Sequence, residues 1–212
     1  MLKSVNFGEY NSFEDLGLIL TDSSISTPSV KTNYVDIDGA NGSIDFTEAF
    51  GEIYYENRTL EFEFTYTGSA LTYADKYSEL QNFLHGQKMK IVISDDEDFY
   101  YTGRVSLNEW KSSKAIRKIT IECNCEPYKH QETLRVYQIG DGEQTIIFDN
   151  LREHINAEIV ATKAISVTCN NQHFTLTPNV VYSDLYLLSG NNELTITGGA
   201  CEISIYAIRG SL

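Results

Sequence analysis

The stretch RTLEFEFTYT, residues 58–67, alternates without a break: Leu60, Phe62, Phe64 and Tyr66 fall on one side, Glu61, Glu63 and Thr65 on the other. A two-residue period sends alternate side chains to opposite faces of a strand. The segment therefore reads as an antiparallel strand with one buried and one wet face. The residues around it repeat the pattern: KSVNF (3–7), GLILT (17–21), VKTNYVDI (30–37), KMKIVIS (88–94), FYYTGRVSLNEW (99–110) and AIRKITIECNC (115–125) are all strand-like. One segment differs. In TYADKYSELQNFLHG, Tyr73, Tyr77, Leu80 and Leu84 recur at the helical period, with Ala74 and Phe83 widening the stripe. Thr72 and Asp75 make a T-x-x-D start and Gly86 a C-terminal stop, which predicts a single helix over about 72–85 lying against the sheet.

At Pro127 the texture changes. EPYKHQE reads as a linker or a crossing strand. Short β runs follow: TLRVYQI, EQTIIFDN, AEIVAT, AISVTCN, QHFTLTP, DLYLLSG, NELTITG and CEISIYAI. Asn170-Asn171, Ser189-Gly190-Asn191-Asn192 and Gly198-Gly199 supply turn chemistry between them. Strands at this spacing predict a β-sandwich. The expected fold class is mainly β, with an α+β first domain over 1–127 and an all-β second domain over 128–212.

Composition narrows the function. A chain of 212 residues with 42% hydrophobic content can build a core and is no disordered segment. No apolar run approaches the roughly 18–20 residues that span a bilayer. MLKSVNFGEYNSFEDLG has no apolar core of a secretory leader, so the expectation is synthesis in a cytoplasm. The net charge is −14; residues 1–127 hold 11 Lys and Arg against 21 Asp and Glu, and residues 128–212 hold 5 against 9. Such a surface repels nucleic-acid phosphates. It would also suit a passage through which DNA slides without sticking.

Two acidic stretches invite a metal reading. In VDIDGANGSIDFTE (35–48), an EF-hand frame begun at Asp36 puts Ala40 where a ligand is needed, and both Gly42 and Glu48 arrive one place late. Turn geometry fits better: Gly39 and Gly42 can take positive φ, and Asp38 and Asn41 suit turns, so the stretch reads as a long hairpin connection. SDDEDFYY (94–101) reads as a solvated hairpin tip. Cys123 and Cys125 match no zinc spacing, and with Cys169 and Cys201 they read as free structural thiols. His85, His130, His154 and His173 lie in no motif, and there is no G-x-S-x-G, P-loop or G-x-G-x-x-G. With 30 acids some pair always meets glycosidase spacing, so that signal is empty. Tyr137, Tyr182, Tyr186 and Tyr206 alternate with apolar neighbours and read as partly buried, and the single tryptophan, Trp110, lies in the first domain. No catalytic, cofactor-binding or metal residue is assigned, and no cofactor is expected.

The order of segments resembles a known family, the distal tail proteins of long non-contractile-tailed bacteriophages. The resemblance begins with NFGEYNSFEDLGLIL and its F-x-x-x-x-S-x-x-D-x-G pattern. It continues through PSVKTNYVDIDGANGSIDFTEAFGEIYYENRTLEFEFTY, FLHGQKMKIVISDDEDFYYTGRV and ITIECNCEPYK. It ends in LLSGNNELTITGGACEISIYAIRGSL with a G-x-N-x-x-x-x-x-G pattern. The resemblance implies a tail-tube-like β-sandwich or split-barrel domain with one helix, followed by a galectin-like β-sandwich. It implies a hexameric ring at the tail tip of the virion, docked to the tail tube protein and the tail-associated hub protein. A receptor-binding protein is a further implied partner, and DNA passes through the lumen without specific binding. A second domain of about 85 residues leaves no room for an inserted carbohydrate-binding module, which favours a scaffold. The alternative reading is a carbohydrate-binding module acting in host-surface adhesion, against which the lack of tryptophan in the second domain counts. A tail tube protein is a near neighbour of the ring reading. A cell-wall enzyme lacks any motif.

Overall fold

The structure, a computed structural model, describes residues 3–49, 51–66, 68, 73–108, 111–113 and 116–212, without the side chains of 111–113 and 116. Thr72 and Trp110 lie outside the described residues. The chain divides into two compact units, Met1–Pro127 and Tyr128–Leu212.

Among the described residues the first unit has an eight-stranded antiparallel sheet, a separate two-stranded ribbon and a helix. In chain order its elements are β1 (Val5–Phe7), β2 (Tyr10–Asn11), β3 (Leu18–Ile25), β4 (Tyr34–Asp36), β5 (Ser43–Asp45), β6 (Arg58–Tyr66), α1 (Tyr73–Leu84), β7 (Lys88–Ile93), β8 (Tyr101–Leu107), β9 (Lys111–Ser113) and β10 (Ile116–Cys125). The sheet runs β2-β1-β7-β8-β10-β6-β3, with β9 beside β10. It is open, ending at β2 and β3. β4 and β5 pair only with each other. β6 carries the alternation read from sequence: Leu60, Phe62 and Phe64 are fully buried, while Thr59 and Glu61 are exposed. Burial of each such aromatic or leucine side chain contributes about 1.5–3 kcal/mol. Phe62 and Phe64 meet Phe7 of β1 edge-on, at centroid distances of 6.0 and 6.2 Å.

Tyr73, Leu80 and Leu84 of α1 are buried and Tyr77 packs half-buried against the same core. The two tyrosine hydroxyls donate to backbone carbonyls, Tyr73 to Lys118 at 2.9 Å and Tyr77 to Asn108 at 2.8 Å. The expected widening of the stripe by Ala74 and Phe83 does not occur. Ala74 is exposed, and Phe83 is 47% exposed beside Tyr10, because the sheet meets only one narrow side of a three-turn helix. Gly86 ends the helix at φ +79°, where any side chain would be strained.

The second unit stacks two four-stranded sheets. Its strands are β11 (Lys129–Ile139), β12 (Gly142–Asn150), β13 (Ile155–Ala161), β14 (Ile165–Cys169), β15 (Gln172–Leu176), β16 (Tyr182–Leu187), β17 (Gly190–Gly198) and β18 (Cys201–Ser211). The orders are β11-β18-β13-β16 and β12-β17-β14-β15. Phe148, Ile159, Val167, Leu185, Leu194, Ile196, Ile203 and Ile205 fill the space between them. Lys129–Glu132, read as a linker or crossing strand, belongs to β11 and pairs in register with β18. Its Gln131, with Thr133 next along the strand, serves a polar core site in place of an apolar residue. Arg209, 8% exposed, donates to Gln131, to Thr133 at 3.0 Å, and to the Asp149 carboxylate at 3.0 Å. Asp149 also accepts from Arg135, and that hydrogen bond above all holds its carboxyl below the ordinary range.

Candidate functional site

The segment between β3 and β6 leaves the body of the first unit as an arm. Ser26 donates to Thr59 at 2.9 Å and Glu56 to Ser29 at 2.8 Å; Val30 bridges Tyr55. Beyond that, Tyr34, Val35 and Asp36 pair with Asp45, Ile44 and Ser43. The tip turns at Gly39 (φ +82°) and Gly42 (φ +77°), so VDIDGANGSIDFTE is the arm's end. Two of the acids that suggested a metal loop have local partners. Asp36 accepts from the Ser43 hydroxyl at 2.6 Å and Asp45 from the Thr47 amide at 2.8 Å. The Thr47 hydroxyl and amide hold the Asp45 carboxyl below its ordinary value.

The arm is apolar yet uncovered. Every residue from Ser29 to Phe46 is exposed. Val30, Tyr34, Val35, Ile37, Ile44, Phe46 and Tyr54 are each at least 42% exposed, and none joins the core. A two-stranded ribbon is marginal alone in water, and contiguous exposed apolar side chains on one element mark a binding surface. Sequence reading missed this. VKTNYVDI looks like a core strand by composition, and only the missing third strand reveals that its apolar residues have nothing beneath them.

The remaining sites singled out by sequence are structural. SDDEDFYY turns between β7 and β8, with Asp95 paired to Lys3 and Asp96 N–H donating to Ile93 at 2.9 Å. The histidines are dispersed. His85 Nδ1 accepts from the Leu107 amide at 3.1 Å; His130 meets Glu153 at 3.1 Å, His154 the Tyr186 hydroxyl at 3.3 Å and His173 the Thr168 hydroxyl at 2.9 Å. All four cysteines are buried and free. Burial pushes the Cys125 thiol up to about 12 and raises Cys123 further. Among the described residues no group of three His, Cys, Asp or Glu could hold a metal ion, and no helix is long and apolar enough to cross a membrane. Tyr137, Tyr182, Tyr186 and Tyr206 are all half-buried, with Tyr182 stacked on Phe174 at 4.2 Å.

The two sequence patterns are backbone devices. Buried Ser12 accepts from the Val5 amide at 3.0 Å, Asp15 accepts from the Asn11 amide at 2.7 Å, and Gly17 takes φ +66°. In the second unit, Gly190 sits at φ +82°, and buried Asn192 donates to the Leu188 and Gly190 carbonyls at 2.9 and 3.0 Å. Both patterns fix turns and leave chemistry to surfaces.

No family model matches this sequence, and no curated protein matches it. Among solved structures, the chain is similar to the crystal structure of SPP1 Dit, described as a paradigm of the hub adsorption apparatus in phages that infect Gram-positive hosts. Identity is 13%, the match covers 98% of this chain and 99% of that one, and the TM-score is 0.69. The fold is that of SPP1 Dit over its full length.

Proposed function

We propose that this chain is the structural distal tail protein of a long-tailed phage, closing into a hexameric ring between tail tube and tail tip. The observation that carries the reading is the full-length likeness to SPP1 Dit, which takes in both units at 98% coverage. The arm supports it, since seven large apolar side chains without cover suit a contact with the next copy in a head-to-tail ring. On this reading the first unit forms the ring and meets the tail tube protein and the hub protein. The second, galectin-like unit carries host-recognition components. The chain has no catalytic role, works in the virion tail tip, is made in the host cytoplasm, and passes DNA through an acidic lumen without binding it specifically.

Light scattering on a size-exclusion column, with negative-stain images of the peak, tests the ring. Six chains of 24.0 kDa give about 144 kDa. Tyr34→Ser, Ile37→Ser and Ile44→Ser together leave circular dichroism and thermal unfolding unchanged and convert the ring to a 24.0 kDa species. A ring that survives this triple change removes the arm from the contact. Absence of the wild-type protein from purified tails removes the reading itself.

A further inference from the structure

One buried charge in the first unit has no counter-charge. Arg58 opens β6 on the core face and is 5% exposed. Its guanidinium lies over the Tyr101 ring at 5.6 Å, and its Nε, sealed from solvent, has no hydrogen-bond partner. A guanidinium carries five N–H donors and keeps its charge. The ring face offsets part of that charge but brings no oxygen to the donors. Arg58 forms no ion pair among the described residues, although residues 1–127 hold 21 acids against 11 bases. Nearby acids do not serve it: Glu126 is paired with Lys88 at 2.6 Å, and Glu56 and Glu61 are exposed. Cys125 stands opposite Arg58 in register, but burial pushes its thiol up to about 12, so it stays protonated and brings no negative charge.

A buried charge without a partner is a standing cost to the isolated chain. Methionine would fill similar space without that cost. What answers the charge therefore comes from outside the chain. The planar fork of a guanidinium matches one carboxylate through two parallel hydrogen bonds. A polyanion is disfavoured, because the acidic excess of this unit repels it. Of the three guanidinium nitrogens only Nε is both sealed and unbonded, which leaves the terminal pair as the end that a ligand reaches. The position is at the root of the arm, where the Ser26 N–H donates to the Thr59 carbonyl at 2.9 Å.

We propose that Arg58 is the receptor for a carboxylate side chain of another polypeptide, taken up at the root of the arm. It rests on the tail-tip reading only for who supplies that carboxylate, a second copy or a different tail protein. Sodium formate, exchanged for sodium chloride at constant ionic strength, probes the chemistry in the full-length protein diluted to single chains. The expected result is a saturable rise in the melting temperature of the first unit, followed by Trp110 fluorescence. Arg58→Lys, which keeps the charge and loses the fork, abolishes that rise. In chloride, Arg58→Met melts roughly 3–6 °C above wild type, because it removes a charge that nothing answers. Assembly then assigns the source. Self-association weakened at least tenfold in Arg58→Met places the carboxylate on a second copy. Unchanged self-association, with the variant depleted at least tenfold from virion tails, places it on a different tail protein. No rise with formate, a rise that Arg58→Lys retains, an Arg58→Met chain melting below wild type, or assembly unchanged on both counts overturns the proposal. The ring reading is judged separately, by the mass of the wild-type protein before dilution.

Discussion

Gly103 of β8 offers a sharp test of the first unit's strand register. It stands opposite Met89 on one side and Cys125 on the other. A Cβ there would lie 2.3 Å from the Cys125 Sγ, 2.7 Å from the Asn124 carbonyl oxygen and 2.8 Å from the Cys125 Cα. The thiol can rotate, but the two backbone atoms cannot yield without prying β8 from β10. Overpacking of this kind costs about 1–3 kcal/mol, against a gain of roughly 0.4–1 kcal/mol from a less flexible unfolded chain. Because the obstruction is backbone, Gly103→Ala is expected at the destabilising end, about 2–2.6 kcal/mol net. That lowers the melting temperature of this unit by roughly 6–13 °C. The fluorescence of the single tryptophan, Trp110, reports the first unit, so its melt is followed separately from the second. Adding Cys125→Ala relieves the nearest contact alone and restores part of the loss. Gly199→Ala is the control: its Cβ would meet nothing nearer than Asp141 Oδ1 at 3.7 Å, and stability stays within about 0.5 kcal/mol. An unchanged first transition in Gly103→Ala would refute the β8–β10 register.

Further outcomes follow from the second unit and the thiols. Asn170 and Asn171 join β14 to β15 at φ +46° and +63°. Asn171→Ala therefore costs about 1–2 kcal/mol in thermal unfolding, whereas Asn171→Gly is neutral or stabilising. The Arg135 hydrogen bond depresses the Asp149 carboxyl in the folded chain, so its stabilisation is full above the unfolded value, about 3.9, and is lost as pH falls through the lower folded value. The melting-temperature gap between wild type and Asp149→Asn should then close on acidification below about pH 4; a gap constant down to pH 2 would be incompatible with this pairing. Ellman's reagent at pH 8 should leave the four buried thiols unreacted in native protein and titrate all four in denaturant. Rapid native labelling would show the core to be open.

Much of this fold was legible because the alternation of RTLEFEFTYT and the period of α1 report burial directly. What stayed hidden shares a cause: a residue pattern does not say what lies against it. Lys129–Glu132 look like a linker because Gln131, like Thr133 after it, answers Arg209 instead of filling a hydrophobic core. Arg58 continues the β6 alternation onto the core face, 5% exposed and over the Tyr101 ring at 5.6 Å, where composition alone would put it in water. The arm is the converse case, since its tyrosines, valines and isoleucines have strand propensity and only the sheet order shows them bare. The acidic tip of the arm resembles a metal loop in composition, but Asp36 and Asp45 bond back to Ser43 and Thr47. Those bonds stiffen a turn whose flanking apolar residues face outward. The residues that set the arm apart are therefore hydrophobic ones on strands with nothing packed against them, and they can be recognised only once the strands' neighbours are known.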